Sequence, residues 1–138
     1  MTKWNTLKLN LVQRLERART ITNNKYVSPE DIVRLLELVI EPGDKICIEG
    51  NNQKHADFLS QSLAAVNNQI IYNLHIVQSN IALPAHLDIF EKKIAKKLDF
   101  CYSGEQGVRL GKLIKEGLIE VGAIHTYLEL YSRYFVDL

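Results

Sequence analysis

Hydrophobic and polar positions follow two alternating periods along most of this chain. Short apolar runs typical of buried strands alternate with segments whose apolar residues recur every three or four positions, as on one face of a helix. The predicted strands are KICIE (45–49), NLHIVQ (73–78), LDFCYS (98–103) and LIEVGAI (118–124). The helices that follow are predicted to begin near His55, Pro84, Gln106 and Thr126. Strands joined by helical crossovers are parallel, so the pattern predicts an open, mostly parallel α/β sheet.

The first 25 residues form a segment of a different kind, which we interpret as a helical arm ahead of an α/β domain at 26–138. Its apolar residues share one helical face, and its arginines lie off that face. The apolar residues are Trp4, Leu7, Leu11, Leu15 and Ala18, and the arginines are Arg14, Arg17 and Arg19. An amphipathic arm of this kind packs either on its own domain or on a partner.

Polar side chains cluster where the predicted strands end. Ligands of open parallel sheets bind outside the carboxyl ends of the strands, so these clusters are expected to meet at one site. The candidate binding residues after the first strand are Gly50, Asn51, Asn52, Gln53 and Lys54. The candidates at the ends of the next two strands are Gln78, Ser79, Asn80, Ser103, Gly104, Glu105 and Gln106. A further polar group, His125 to Tyr127, follows the last strand.

The loop after the first strand has the composition of an anion or oxyanion site. Gly50 permits a sharp turn, and the loop is expected to run into a helix N-terminus, where free N–H groups favour negative charge. The amides at 51–53 add neutral donors and Lys54 adds a positive charge. Neither the G-x-G-x-x-G nor the Walker spacing is present. The alternative is that the Asn and Gln side chains only cap a turn.

Composition and charge exclude several classes of protein. The chain has 138 residues, 46% of them hydrophobic, and a formal net charge of +1, which favours a single globular domain without a strong field for nucleic acid or membrane. Cys47 and Cys101 lie in strand-like runs and are expected to be reduced core thiols of a cytoplasmic protein. No metal site is predicted, because His55, His86 and His125 lack ligand spacing; His75 is expected in the core or on a sheet face. Lysines 92, 93, 96 and 97 are expected at a solvated helix end.

Several strings in this sequence resemble the alpha subunit of malonate decarboxylase, a relative of the coenzyme A transferases. They are CIEGNNQKHADFL, LHIVQSNIALPAHLDIFE, LDFCYSGEQG and IEVGAIHTYLELYSRYFVDL, so the resemblance extends from about residue 28 to the last residue. It implies a coenzyme A transferase-like fold in which GNNQK takes the place of a glycine-rich loop near the thioester. Asn51, Asn52 and Gln53 replace glycines there, which favours side-chain amides over close backbone approach as the polarising groups.

The resemblance also implies an activity and partners. The alpha subunit is expected to transfer an acyl-carrier-protein thioester from acetate to malonate, releasing acetate. The thiol belongs to phosphoribosyl-dephospho-coenzyme A on the carrier protein, so no cofactor is expected to be bound directly, and other decarboxylase subunits are expected partners. No stretch resembles the later glutamate motif of coenzyme A transferases, so no catalytic residue is assigned, although Glu49 and Glu105 are possible acids or bases.

Family members are longer, so the chain is expected to be an N-terminal fragment that is inactive alone and self-associates through its apolar end. The alternative function is a non-catalytic assembly module of a multi-subunit complex.

Overall fold

The fold is built around one parallel sheet. The computed structural model describes residues 3–22, 25–51, 54–126, 128–129 and 131–132. The strands are β1 (Lys45–Ile48), β2 (Gly50–Asn51), β3 (Lys54–His55), β4 (Leu74–Asn80), β5 (Ala95–Tyr102) and β6 (Glu120–Ile124). The α-helices are α1 (Lys3–Ala18), α2 (Ile32–Val39), α3 (Asp57–Leu63), α4 (Ala85–Glu91) and α5 (Gly107–Lys115). Short 3₁₀ turns at Pro29–Asp31 and Gly104–Gln106 precede α2 and α5.

Four strands form the sheet in the order β1-β4-β5-β6, and all three pairings are parallel. The predicted α/β class, the parallel sheet and its helical crossovers are therefore confirmed. Helix α2 contacts α3, α3 contacts α4 and α4 contacts α5, so these helices form a continuous row against the sheet. The row follows the strand order because each crossover connects neighbouring strands.

The core lies between this row of helices and the sheet. Its fully buried side chains come from both layers. They include Ile71, Leu74, Ile76, Leu87, Ile89, Phe90, Ile94 and Leu98. Burial of one such side chain stabilises the fold by about 1.5–3 kcal/mol relative to its exposed state. The central strands β4 and β5 contribute most of the sheet side of the core, so their carboxyl ends lie directly beside it.

The lysine-rich segment does not end a helix as predicted. Helix α4 ends at Glu91, and Lys93 turns the chain with a φ of 60°. Ile94 is completely buried, and strand β5 begins at the next residue, so Lys96 and Lys97 lie in the strand. The burial of Ile94 fixes this early strand start, and the prediction of a solvated helix end at Lys96 and Lys97 is wrong.

The two cysteines differ in environment. Cys47 is exposed on the edge strand β1, because the core-facing positions of that strand are its neighbours Ile46 and Ile48. The prediction of a core thiol is therefore wrong for Cys47. Cys101 is half-buried, and burial raises the pKa of its thiol above the ordinary value. Both are free thiols. Within the part of the chain that the structure describes, no helix is long and apolar enough to cross a bilayer.

Two arginines attach the N-terminal arm to the domain. Arg14 on α1 donates to the carboxylates of Glu41 (2.9 Å) and Asp44, and to the carbonyl oxygen of Val39 (3.2 Å). Arg17 donates to Glu41 (2.7 Å) and also to a carbonyl at the end of α2. The last carbonyls of α2 carry the negative end of the helix dipole and lack intrahelical partners, so they favour cationic donors. We call this arrangement the arginine clasp.

The clasp holds the arm at neutral pH. The hydrogen bond from Arg17, followed by one from Asn10, keeps the pKa of Glu41 below its ordinary value of 4.5. A carboxyl whose pKa is lower in the folded state stabilises that state above its unfolded pKa, and the contribution disappears as the pH falls through the folded pKa. The Glu41 contribution is therefore complete at neutral pH and is lost only on acidification below the ordinary range.

Replacing Arg14 by alanine is expected to loosen the arm without unfolding the sheet. It removes charge-assisted hydrogen bonds that are partly screened by solvent, so amide protons of α1 should exchange roughly fivefold faster, as for a loss of about 1 kcal/mol. Hydrogen exchange followed by mass spectrometry measures this. Arg19→Ala is the matched control, because Arg19, one residue after α1, pairs with Glu16 of the arm itself. Equal protection of α1 in the two variants would contradict a clasping role for Arg14.

Candidate functional site

Three chain segments meet at the carboxyl end of the parallel sheet. Asn80, the last residue of β4, is aligned with Tyr102 at the end of β5. A Cβ atom added at Gly50 would lie 2.2 Å from the carbonyl oxygen of Asn80, and one added at Gly104 would lie 3.4 Å from its Oδ1. The segments containing Gly50, Gln78–Asn80 and Ser103–Gln106 therefore share one edge of the sheet, and we call them together the strand-end cluster.

The segment after β1 is a small hairpin and does not run directly into a helix as predicted. Strands β2 and β3 pair antiparallel, with Gly50 opposite His55. The amide of Ala56 then donates to the carbonyl of Glu49 (3.3 Å), which closes the hairpin before α3 begins at Asp57. The chain therefore reverses direction between β2 and β3, which could not be predicted because this interval has no alternating apolar residues.

Asn52 and Gln53 lie outside the described residues, and for Asn51 and Lys54 the structure describes the backbone only. A binding role for these four residues remains a prediction from the sequence.

The middle segment of the cluster is largely interior. Gln78 has no exposed surface, Asn80 is 4% exposed, and Ser79 is half-buried. The Gln78 amide nitrogen lies 2.8 Å from Nδ1 of His86, a residue of α4 that is also completely buried. His86 was not predicted as a neighbour of the site, because a histidine at this position suggested only a possible metal ligand. The sequence feature that could have identified His86 is its position as the second residue of α4, the helix that follows the strand containing Gln78.

The third segment turns sharply before α5. Gly104 has a φ of +46°, in the left-handed region that glycine adopts without strain, and the amide of Gln106 donates to the carbonyl of Ser103 (3.1 Å). Gln106 and Ser103 are half-buried, whereas Glu105 is exposed. The exposure of Glu105 fits the side chain of a solvated surface residue.

An apolar cavity of about 310 Å³ lies beside the hairpin, between α2, α3 and the edge strand β1. Its lining includes Ile40, Ile46, Ile48 and Leu59, and it reaches Glu49 and Ala56, the two residues that flank the hairpin. The cavity therefore adjoins the strand-end cluster and offers apolar surface next to its polar groups.

A second polar cluster connects three strands of the sheet. Nε2 of His75 on β4 lies 3.1 Å from Oδ1 of Asp99 on β5, and Nε2 of His125, just after β6, lies 3.9 Å from Oδ2 of the same carboxylate. Asp99 is buried, and it lies against Gly122 of β6. The prediction that His75 lies in the core or on a sheet face is confirmed by its place on β4. Asp99 was not singled out in the sequence because it stands inside an apolar strand pattern.

The chain enters its last described segment through a helix cap. The amide of Thr126 donates to the carboxylate of Glu129 (2.7 Å), and the amide of Glu129 donates to the hydroxyl of Thr126 (3.3 Å). This reciprocal pair is a capping box, and the backbone bond from Thr126 lowers the pKa of Glu129. The prediction of a helix beginning near Thr126 agrees with this cap.

Comparison with known proteins gives consistent results. Residues 3–138 match the family model described as malonate decarboxylase, alpha subunit, transporter. The acetyl-S-ACP:malonate ACP transferase of Malonomonas rubra is 49% identical over 136 residues, which are 98% of this chain and 24% of that protein.

Two solved structures are also similar to this chain. The malonate decarboxylase alpha subunit from Acinetobacter baumannii has a TM-score of 0.94 and 48% identity, covering 97% of this chain and 25% of the other. A Pseudomonas malonate decarboxylase hetero-tetramer in complex with malonate gives a TM-score of 0.95 and 47% identity, covering 100% of this chain and 25% of the matched chain. The chain thus spans about a quarter of the length of the relatives it matches.

Proposed function

Because the chain belongs to the family of malonate decarboxylase alpha subunits, we propose that it forms part of an acyl-carrier-protein transferase that binds its thioester at the strand-end cluster. The observation that carries this proposal is the meeting of Gly50, Asn80 and Gly104 at the carboxyl end of the sheet, where open α/β folds bind ligands. The relative from Malonomonas rubra is named for this transfer.

The proposed reaction exchanges the acyl group on a carrier-protein thiol. The acetyl thioester and malonate are consumed, and the malonyl thioester and acetate are produced. One carbon–sulfur bond breaks and one forms, and one carboxylate oxygen of malonate ends in acetate, so no oxidant or reductant is needed. The thiol belongs to the carrier's phosphoribosyl-dephospho-coenzyme A group, which reaches this chain as part of the substrate. Other subunits of the decarboxylase are further proposed partners.

The cluster suits substitution at a thioester carbonyl. Negative charge develops on the carbonyl oxygen in the transition state, and preorganised N–H donors stabilise it. Gly50 and Gly104 have no side chains, so their backbone can approach a substrate closely. We include Asn51, Asn52, Gln53 and Lys54 as further binding groups, together with Ser79, Ser103, Glu105 and Gln106. The neighbouring apolar cavity suits an aliphatic part of the thioester arm better than a charged carboxylate.

A second candidate function is assembly of a multi-subunit complex, and the exposed side of α1 favours it. Leu11 and Leu15 are 57% and 50% exposed, and Val12 beside them is 47% exposed. The arginine clasp leaves this apolar stripe free of the domain, and exposed apolar stripes of this kind mark interaction surfaces.

An exchange assay separates the two functions. A full-length alpha subunit carrying this sequence, mixed with acetylated carrier protein and labelled malonate, is expected to transfer label to the carrier and release acetate. Carrier protein with a free thiol is the control, because it offers no acetyl thioester to exchange. A subunit that joins the other decarboxylase subunits but transfers no label would contradict the transferase and favour assembly.

A further inference from the structure

Gln78 and His86 form a buried polar pair directly beneath the hairpin. Both side chains are completely enclosed, and the Gln78 amide nitrogen lies 2.8 Å from Nδ1 of His86. The amide of Leu83 donates to the same ring nitrogen at 3.3 Å. Buried polar groups without partners cost about 1–3 kcal/mol each, so the two contacts at Nδ1 stabilise the pair. Among the described residues, Oε1 of Gln78 is buried without a hydrogen-bond partner.

The contacts fix the protonation of the histidine. A backbone N–H group can only donate, so Nδ1 of His86 has to be an acceptor and carries no proton. The imidazole is therefore neutral, with its proton on Nε2. The same acceptor requires the Gln78 amide to present its NH₂ group and excludes the flipped orientation, in which the carbonyl oxygen would face the lone pair of Nδ1. His86 thus determines how the Gln78 amide is oriented.

The Gln78 side chain in turn supports the hairpin. A Cβ atom added at Gly50 would lie 2.8 Å from both Cγ and Nε2 of Gln78, so the Gly50 backbone rests on this amide without room for a side chain. Gly50 begins β2, and its position determines where the hairpin stands at the strand ends. Complete burial of Gln78 argues that it acts on the substrate through the hairpin and not by direct contact.

We propose that Gln78 and His86 are a positioning pair for acyl transfer. Neutral His86 orients the Gln78 amide, and that amide fixes the position of the Gly50 backbone relative to the ends of the strands. This inference rests on the proposed transferase function. It assigns two positioning residues, and the hairpin they support presents the groups that meet the thioester.

Two substitutions of His86 test the pair in the full-length alpha subunit within its complex. His86→Asn keeps a carbonyl oxygen near the Nδ1 position, so it should retain kcat within about threefold, whereas His86→Phe has no acceptor and should lower kcat about a hundredfold, as misplacement by about 1 Å does. The KM for malonate should change little, because the pair does not touch substrate. A purely structural role would lower the stability of His86→Phe but leave kcat per folded subunit unchanged, and that outcome would overturn the proposal.

A second measurement does not depend on activity. Amide exchange at residues 50–51 should be about tenfold faster in His86→Phe than in the parent, equivalent to losing one buried hydrogen bond, and unchanged in His86→Asn. Where His86→Phe does not fold, Gln78→Glu disturbs the same contact, since its carboxylate has no proton to donate to Nδ1. Unaltered exchange in the disrupted variants, or a nitrogen NMR signal showing Nδ1 protonated in the parent, would overturn the positioning pair. Absent transfer with the expected exchange pattern would overturn the proposed function and leave the pair's support of the hairpin established.

Discussion

Replacing Gly50 by alanine is expected to lower the rate of the proposed acyl transfer about a hundredfold and the free energy of unfolding by about 1–3 kcal/mol. The added Cβ would lie 2.2 Å from the backbone carbonyl oxygen of Asn80, and 2.8 Å from two atoms of Gln78. A backbone atom at the end of the central strand β4 cannot move aside cheaply, so the hairpin has to shift away from the strand ends. Denaturant unfolding and the exchange assay measure the two effects.

Gly111 supplies the matched control for Gly50. It lies inside α5, and an added Cβ there would meet nothing within 4 Å. Gly111→Ala should therefore stabilise the protein by about 0.5–1 kcal/mol through helix propensity, with transfer unchanged. If Gly50→Ala matched Gly111→Ala in both measurements, the close packing of Gly50 on β4 would have no functional consequence.

The second large effect is expected at Gly122, where alanine should destabilise the fold by about 1–3 kcal/mol. Its Cβ would lie 2.0 Å from Oδ1 of Asp99 and 2.6 Å from Cε of Lys97. Lys97 is exposed and can swing away, whereas the Asp99 carboxylate is buried beside His75. Displacing it separates a buried polar side chain from its histidine neighbour, which is why the expected cost exceeds that of an ordinary strand substitution.

A double-mutant cycle isolates that clash. In an Asp99→Ala background the obstructing carboxylate is gone, so Gly122→Ala should cost at least about 1 kcal/mol less than in the parent. Unfolding in urea gives the four free energies of the cycle. Equal costs in both backgrounds would show that the Asp99 side chain relaxes freely and that Gly122 is unimportant for its placement.

The layered fold could be predicted from the sequence because its strands are continuous apolar runs. LHIV and LDFC read as buried strands, and the helical crossovers between them required parallel pairing. The start of β5 could not be predicted from the pattern of apolar residues. Ile94 is an apolar residue between two pairs of lysines, and only its tertiary burial shows that the chain has already left α4. The pattern also did not distinguish edge strands from central strands of the sheet, so the exposure of Cys47 on the edge strand β1 could not be predicted.

The location of the candidate site was predictable in outline, since polar residues follow each strand and parallel strands end at one edge. Its inner arrangement was not. The contact between Gln78 and His86 spans eight residues and depends on the turn that leads into α4. The hairpin of β2 and β3 likewise lacks a periodic signal, because each of its strands has only two residues. Contacts of this kind depend on packing in three dimensions.

The strand order has a consequence for how the chain folds. In the parallel sheet, each strand pairs with the strand of that sheet that follows it along the chain. Each pairing therefore closes a loop that consists of a single crossover connection. The entropy lost on closing a loop rises with its length, and sheets assembled from such short closures have low contact order for a parallel topology. The β4–β5 pair can therefore form as a local nucleus, with β1 and β6 adding to its two sides in either order.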